Sequence, residues 1–505
     1  MEHILSLQRP DGSWEALPDA RIFETALCGY ALSHTPGNLD ACAVAQARGW
    51  VDAATPQSHH PVSHLIEVVL RRIFLGSGGT IDLTAPELNA PVMASRGTLL
   101  YALALHAGLE VKAPHTEAEL RQRVALEYER SSQASLKLWS KVELISIHIL
   151  LQARAGHVAA VETAGFDLVH VQSPAAGFFF NPVSTALAYI ALCVAAPGSD
   201  PWYLLRARLL QDQQSDGTWR FCSSDVWDTS LIVRSFRSHP WFVREAQQPA
   251  LDFLQATQSN DGGWPFRSGV ESDNDTTGAV MLALRGTLQG ERTVDRALAY
   301  LARVQMDNGL WRTWQFRDDP PVEDVVAHVL SGLNGYAGRH HIATAAARSW
   351  LVEQIECRKA WVASWYRGVP YAIAEIGSAL GFHHPLVRSG IDALAASQRD
   401  DGGWGPDLEG PSTASATGLA LTVVARHHPQ RAHHALRYLV DTQRPDGTWP
   451  GTPDMYGPRP LLSHFATHTQ AFVVGGMLAV RGRDWPRSDA AIPAEPTQVT
   501  RKETR

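Results

Sequence analysis

The sequence predicts an all-α protein built from stacked pairs of helices, and three observations carry that expectation. A short pattern (Gln, two residues, Asp or Asn, Gly, one residue, Trp) occurs at Gln8–Trp14, Gln213–Trp219, Gln258–Trp264, Gln305–Trp311, Gln398–Trp404 and Gln443–Trp449. From Trp219 onward the copies step by 45, 47, 93 and 45 residues, the 93 being two periods with a degenerate copy around Gln354 and Trp361 between them. A period of that size marks stacked repeats of two helices each. The stretches between copies, such as LDFLQATQ, ALAYLARVQ and ALRYLVDTQ, space their apolar residues as helices do.

Within each copy the Asp-Gly pair supplies the turn that ends a helix, because glycine takes positive φ cheaply. Gln and Trp are then free to stack and hydrogen-bond between neighbouring units, so the pattern alone is structural. Trp14 and Trp219 lie 205 residues apart with no clear copy between them, which predicts a second, more divergent helical domain. A chain of 505 residues suits about two large domains. We expect a first helical domain over 1–222, a second over 223–487, and a disordered tail, SDAAIPAEPTQVTRKETR, over 488–505.

Composition narrows the function. Hydrophobic residues are 45% and charged residues 19%, with a net charge of −7, which offers no surface for a polyanion and argues against nucleic acid. Cys28, Cys42, Cys193, Cys222 and Cys357 are odd in number and free of CxxC spacing, so they read as reduced thiols rather than disulfides or a zinc site. MEHILSLQRPDGSW lacks a signal-peptide layout, and no apolar run reaches the roughly 20 residues of a membrane span. A cytoplasmic protein without a transmembrane segment is expected.

The chemistry concentrates in SDNDTTG, residues 272–278. An acidic, Thr-rich segment is by itself a good helix start. A pair of carboxylates two residues apart, one loop after a repeat copy, suits a different task. A neighbouring carboxylate and a dry cavity both keep a carboxylic acid protonated at neutral pH, as a general acid requires. Asp324 and His328 stand at i and i+4 on a helical stretch, where their side chains share a face.

Several unlinked segments resemble one family. The repeat, VWDT (226–229), DPPVEDVVAHVL (319–330) and WYRGVPY (365–371) are similar to those of the class II terpene cyclases, which include squalene–hopene cyclase. GFFFNPVSTA (177–186) is closer to the members that act on prenyl diphosphates, of drimenyl, copalyl or halimadienyl diphosphate synthase type. The resemblance implies a two-domain (βγ) double α/α-barrel with Gln-Trp repeats, and a reaction in which a linear prenyl diphosphate is cyclised by protonation of its far double bond. Asp273, Asn274, Asp275, Thr276 and Thr277 match the family's Asp-x-Asp-Thr-Thr, which makes Asp275 the acid and Asp273 and Thr276 its supports. The same resemblance implies that His328 polarises Asp275, that Asp324 orients His328, and that Tyr371 completes a reprotonation relay. Aromatic faces stabilise carbocations without capturing them, and Trp227, Trp365, Phe472, Phe178 and Phe180 are the candidate lining.

The diphosphate must be held and kept. The one DD pair resembling a class I metal motif, Asp318–Asp319, runs into Pro320–Pro321, which a metal-presenting helix does not tolerate. Family members commonly use Mg²⁺; here Asp19 and Glu24 are the candidate ligands, with Arg21 or Lys141 on phosphate oxygens. In many relatives a helix precedes the first repeat copy, whereas Met1 lies seven residues before Gln8, so that helix is either missing or upstream. Farnesyl diphosphate (C15) is slightly preferred over geranylgeranyl diphosphate (C20), because Phe178–Phe180 add bulk. The rivals are a squalene–hopene-like triterpene cyclase, a zinc-dependent protein prenyltransferase subunit, a glycoside hydrolase on an α/α-barrel and a non-catalytic scaffold.

Overall fold

The computed structural model describes residues 2–89, 93–131, 136–171, 181–315, 319–407 and 409–481. Phe178, Phe180, Asp318 and the 488–505 tail fall outside them. The described residues are mostly helical, with two short two-stranded ladders (Ile81–Asp82 with Val111–Lys112, Met455–Tyr456 with Leu462–Ser463).

Alternate helices close into two rings. In the first, Ile22–Leu32, Pro61–Leu75, Ala94–His106, Leu138–Arg154 and Pro182–Ala195 pack in sequence, and the last returns to the first. In the second, Asp225–Phe236, Asn274–Leu284, Glu323–Asn334, Val369–Leu380, Ala414–Val424 and Ala466–Arg481 do the same. The intervening helices lie outside. Those outer helices carry the amphipathic sequences, such as Leu288–Val304, while inner ones such as Pro182–Ala195 are buried nearly all round, as a barrel's inner layer must be. Each ring has its own hydrophobic core.

The repeated pattern stitches the layers together. In all six copies the Trp indole N–H donates to the carbonyl ten residues earlier, from Trp264 to Leu254 at 2.6 Å for example. The Gln amide donates to the Gly carbonyl four residues on. In five copies it also reaches the backbone of a neighbouring outer segment, as from Gln258 to Thr293 at 3.0 Å. Gly262 needs its positive φ of 97°, and a Cβ there would meet the Arg296 carbonyl oxygen at 2.4 Å. In the degenerate copy Lys359 takes the left-handed turn instead.

This stitching moves the chain's start. Gln8 bonds to Ala246 across 238 residues, and Ile4 and Trp14 join the core of the second ring, although the sequence suggests the first. The copy at Trp219 closes on Ala43 of the first ring. Leu461, conversely, belongs to the first core, because the 457–463 segment crosses over and accepts bonds from Arg21, Gln57 and Ser63.

Candidate active site

Asp275 sits in the first turn of the Asn274–Leu284 helix, whose start is fixed from both sides. Asp273 is the N-cap and accepts the Thr276 N–H at 2.6 Å. Behind it, Asp273 N–H donates to the Trp264 carbonyl at 3.0 Å and Trp264 N–H donates to Thr277 at 2.9 Å, tying the acidic turn to the repeat. The helix-start reading applies to Asp273, which caps, while Asp275 lies in the first turn beyond it.

His328, on the Glu323–Asn334 helix, donates from Nδ1 to Asp275 Oδ1 at 2.6 Å. The two helices cross closely because Gly278 lies against the His328 backbone, where a Cβ would meet the carbonyl oxygen at 2.5 Å. On its other side, His328 Nε2 is 3.1 Å from Glu375 Oε2. Glu375 is in turn gripped by Arg234, which reaches both carboxylate oxygens at 3.0 and 2.9 Å. Burial alone lowers a histidine's pKa, but Asp275 and Glu375 together raise that of His328 to about 10, so it is an imidazolium at neutral pH. Although burial opposes it, Arg234 and His328 bring Glu375 down to about 2. Burial and the nearby Asp275 push Asp273 well above the usual carboxylate range.

Asp324 does not hold the imidazole as expected. Its Oδ2 accepts the Trp365 backbone N–H at 2.7 Å, and burial beside Asp275 raises its pKa to about 6. Glu375 takes the place expected of Asp324. A lone glutamate in the apolar AIAEIGSAL and a lone arginine in LIVRSF were the available signals for this pair. Tyr371 is buried, 6.4 Å from His328 between ring centroids and stacked on Tyr366 at 4.4 Å. Trp227 stands edge-on to His328 at 5.5 Å, and Phe472 is edge-on to Tyr366 and Tyr371. Trp365 lies farther out, donating to Thr313 and covered by Arg459 at 4.2 Å. A small pocket of about 10 Å³, room for little more than one water, is lined by Tyr366, Tyr371, Leu419, Phe472, Ser415 and Asp454.

Three of the residues expected at the diphosphate have protein partners. Arg21 and Glu24 form a buried pair with each other. Asp19 is exposed and bonded to His464 at 2.8 Å. Lys141 lies on the first ring's Leu138–Arg154 helix. Among the described residues there is no cluster of three or more His, Cys, Asp or Glu that could hold a metal. Asp319 accepts the Trp314 N–H at 2.7 Å and pairs with Lys137 at 3.4 Å, which uses both its oxygens locally. The five cysteines are unpaired, and no helix among the described residues is long and apolar enough to cross a membrane.

A family model for the squalene-hopene cyclase C-terminal domain matches residues 313–460, the span that holds His328, Glu375 and Tyr371. Drimenyl diphosphate synthase of Streptantibioticus cattleyicolor is 31% identical over 259 residues, covering 50% of this chain and 41% of that one. The 313–460 segment is that of a class II terpene cyclase, and the chain is similar to this family over about half its length. Squalene–hopene cyclase of Bradyrhizobium diazoefficiens is 26% identical, over 52% of this chain and 50% of that one. The match to each of these relatives spans half of its length or less. The fold is shared with ent-copalyl diphosphate synthase from Streptomyces platensis, at a TM-score of 0.55 and 20% identity over 95% of this chain and 91% of that one.

Proposed function

We propose that this chain cyclises a linear prenyl diphosphate by protonating its distal alkene, and that the diphosphate is retained. The observation that carries the reading is the buried Asp275–His328 contact with Glu375 behind it. Asp275 delivers the proton. The bond from the His328 imidazolium to Oδ1 stabilises the carboxylate left behind, and this makes the acid strong enough for an unactivated double bond. Burial and the nearby Asp275 favour the protonated form of Asp273, which limits competing negative charge. Trp227, Tyr371 and Phe472 present π faces and edges to the cation as the rings close.

The positive groups that best suit the diphosphate are Lys137 and Arg459, in place of Arg21 and Lys141. Lys137 lies 4.0 Å over Trp314, and Arg459 covers Trp365 from the segment that bridges the two rings. Burial pushes both cations below their ordinary values, so an anionic ligand beside them is favourable. A Mg²⁺ requirement belongs to the proposal and is read by chelation; no residue is assigned to it. Farnesyl diphosphate is the preferred substrate, geranylgeranyl diphosphate the next, and squalene the rival suggested by the family model.

The test incubates the protein with each of the three, extracts with and without phosphatase, and follows pyrophosphate. Cyclic material released only by phosphatase, with pyrophosphate at background, is expected. Pyrophosphate appearing in step with cyclic hydrocarbon would overturn the reading.

A further inference from the structure

A second buried proton chain ends on Tyr366 at the pocket, and one aromatic ring, Trp227, separates it from His328. Asp228 Oδ1 is 2.7 Å from His468 Nε2, and His468 Nδ1 is 3.0 Å from the Tyr366 hydroxyl. The Trp227 indole N–H donates to the same hydroxyl at 2.8 Å. With a neutral imidazole these contacts fix every proton. The carboxylate requires a hydrogen on Nε2, so Nδ1 is the acceptor and Tyr366 must donate to it. The indole has only a hydrogen to give, so the Tyr366 oxygen accepts it. Asp228 is itself held by Ser224 at 2.9 Å, the Ala16 N–H at 3.1 Å and Thr467 at 3.3 Å, so the far end of the chain is anchored.

We propose that Tyr366, acting through His468 and Asp228, is the base that ends the cyclisation by removing a proton from the carbon beside the last cationic centre. This rests on the class II reading above. In the step, a C–H bond breaks and its electron pair becomes the new C=C bond. The proton goes to the Tyr366 oxygen, the proton that oxygen held passes to His468 Nδ1, and His468 becomes an imidazolium next to Asp228. A phenol alone is too weak a base for this work; the relay makes its oxygen basic only while its own proton can leave. Tyr366 has the position as well. It lines the pocket, with Tyr371 stacked on one face and Phe472 edge-on, neither of which offers an oxygen relayed to a carboxylate. The rival on the same wall, Asp454, accepts hydrogen bonds from Ser415 at 2.5 Å and Thr452 at 2.9 Å, and its burial favours the protonated form. His468 and Asp228 are positioning residues, because they act through Tyr366.

The experiment compares the full chain with Tyr366→Phe, His468→Gln and Asp454→Asn, on whichever prenyl diphosphate the parent cyclises. Products are resolved by mass spectrometry after phosphatase, with a thermal melt for each variant. For Tyr366→Phe, total consumption stays within about tenfold of the parent, since initiation still belongs to Asp275. The parent alkene falls to a minor product, and isomeric alkenes or water-captured alcohols replace it. His468→Gln shifts the profile the same way while keeping the tyrosine, and it decides the matter should Tyr366→Phe lose its fold. An unchanged profile in an active Tyr366→Phe overturns the assignment, as does a redirected profile in Asp454→Asn alone. Lost turnover with the parent profile intact also overturns it, by moving Tyr366 to the initiating step. Failure of the class II reading looks different: the parent itself yields no cyclic diphosphate.

Discussion

The segments 261–278 and 401–418 are two castings of one turn. In each, a serine donates to the aspartate of the repeat at 2.8 Å, Ser272 to Asp261 and Ser412 to Asp401. In each, the Trp N–H meets a threonine inside the next helix, Thr277 or Thr417, and the Trp pairs with the capping residue, Asp273 or Thr413. Each ends on a glycine that lies against a neighbouring helix backbone, Gly278 on His328 and Gly418 on Phe472. They differ in the first turn. Asp275 in one faces an imidazolium; Ser415 in the other donates to the buried Asp454. The frame is therefore structural in both places, and reactivity comes from one carboxyl plus what the next inner helix offers it.

Removing the carboxyl should separate the two turns most sharply. Asp275→Ala lowers cyclisation by about 10³-fold or more with the fold kept, as loss of an irreplaceable general acid does, whereas Ser415→Ala leaves turnover within a small factor. Product formation and circular dichroism, measured together, check both. Adding Ser415→Asp to Asp275→Ala restores nothing, because no imidazolium faces that position; recovered activity would show that the frame alone makes an acid.

The second effect is a displaced pH profile. Glu375→Gln removes one of the two charges that hold His328 near 10, so the alkaline limb of the rate profile moves to lower pH. Asp324→Asn moves the limb less, since Asp324 makes no hydrogen bond to the imidazole and its Oδ2 accepts the Trp365 N–H. A limb that moves with Asp324 and ignores Glu375 returns the orienting role to the i, i+4 pair.

Stability carries a smaller signature of the same charge. His328 is raised in the folded protein, from 6.5 to about 10, so its contribution is complete below pH 6.5 and is lost as pH climbs through about 10. Denaturant melts across that window should show the parent losing stability relative to His328→Gln. A constant difference between the two would mean that the histidine is neutral.

The smallest expected effect is the cap. Asp273→Ala and Thr413→Ala each remove one side-chain acceptor at a helix start, worth about 1 kcal/mol, and should cost similar stability. Only the first should also slow cyclisation. Equal losses of activity would make the acidic cap purely architectural.

Much of this was legible beforehand, for identifiable reasons. Repeats expose themselves because the same Gln, Gly and Trp recur at one spacing, and the Asp-x-Asp-Thr-Thr segment announces its chemistry by being acidic where a cap alone needs one acceptor. What stayed hidden depends on distant pairing. Gln8 reads as part of the first domain until its bond to Ala246, 238 residues away, is seen. Asp324 and His328 have the right spacing for contact, yet Asp324 sits at the helix start and turns to a loop amide. Glu375 and Arg234 lie 141 residues apart, and neither alone declares what it neutralises. Arg21 and Glu24 look like ligands for a phosphate and a metal until their proximity cancels both charges.

The contact between Gly278 and the neighbouring helix has a further meaning. A Cβ at Gly332 would press on the Gly278 carbonyl oxygen at 2.9 Å, as one at Gly278 would press on that of His328. Main chain rests on main chain at this crossing, and two missing methyl groups act as a gauge for the gap between Asp275 and His328. Outer helices can drift, exchange residues or breathe with temperature while that gap holds, so the proton-donating power of the site is insulated from most of the scaffold around it.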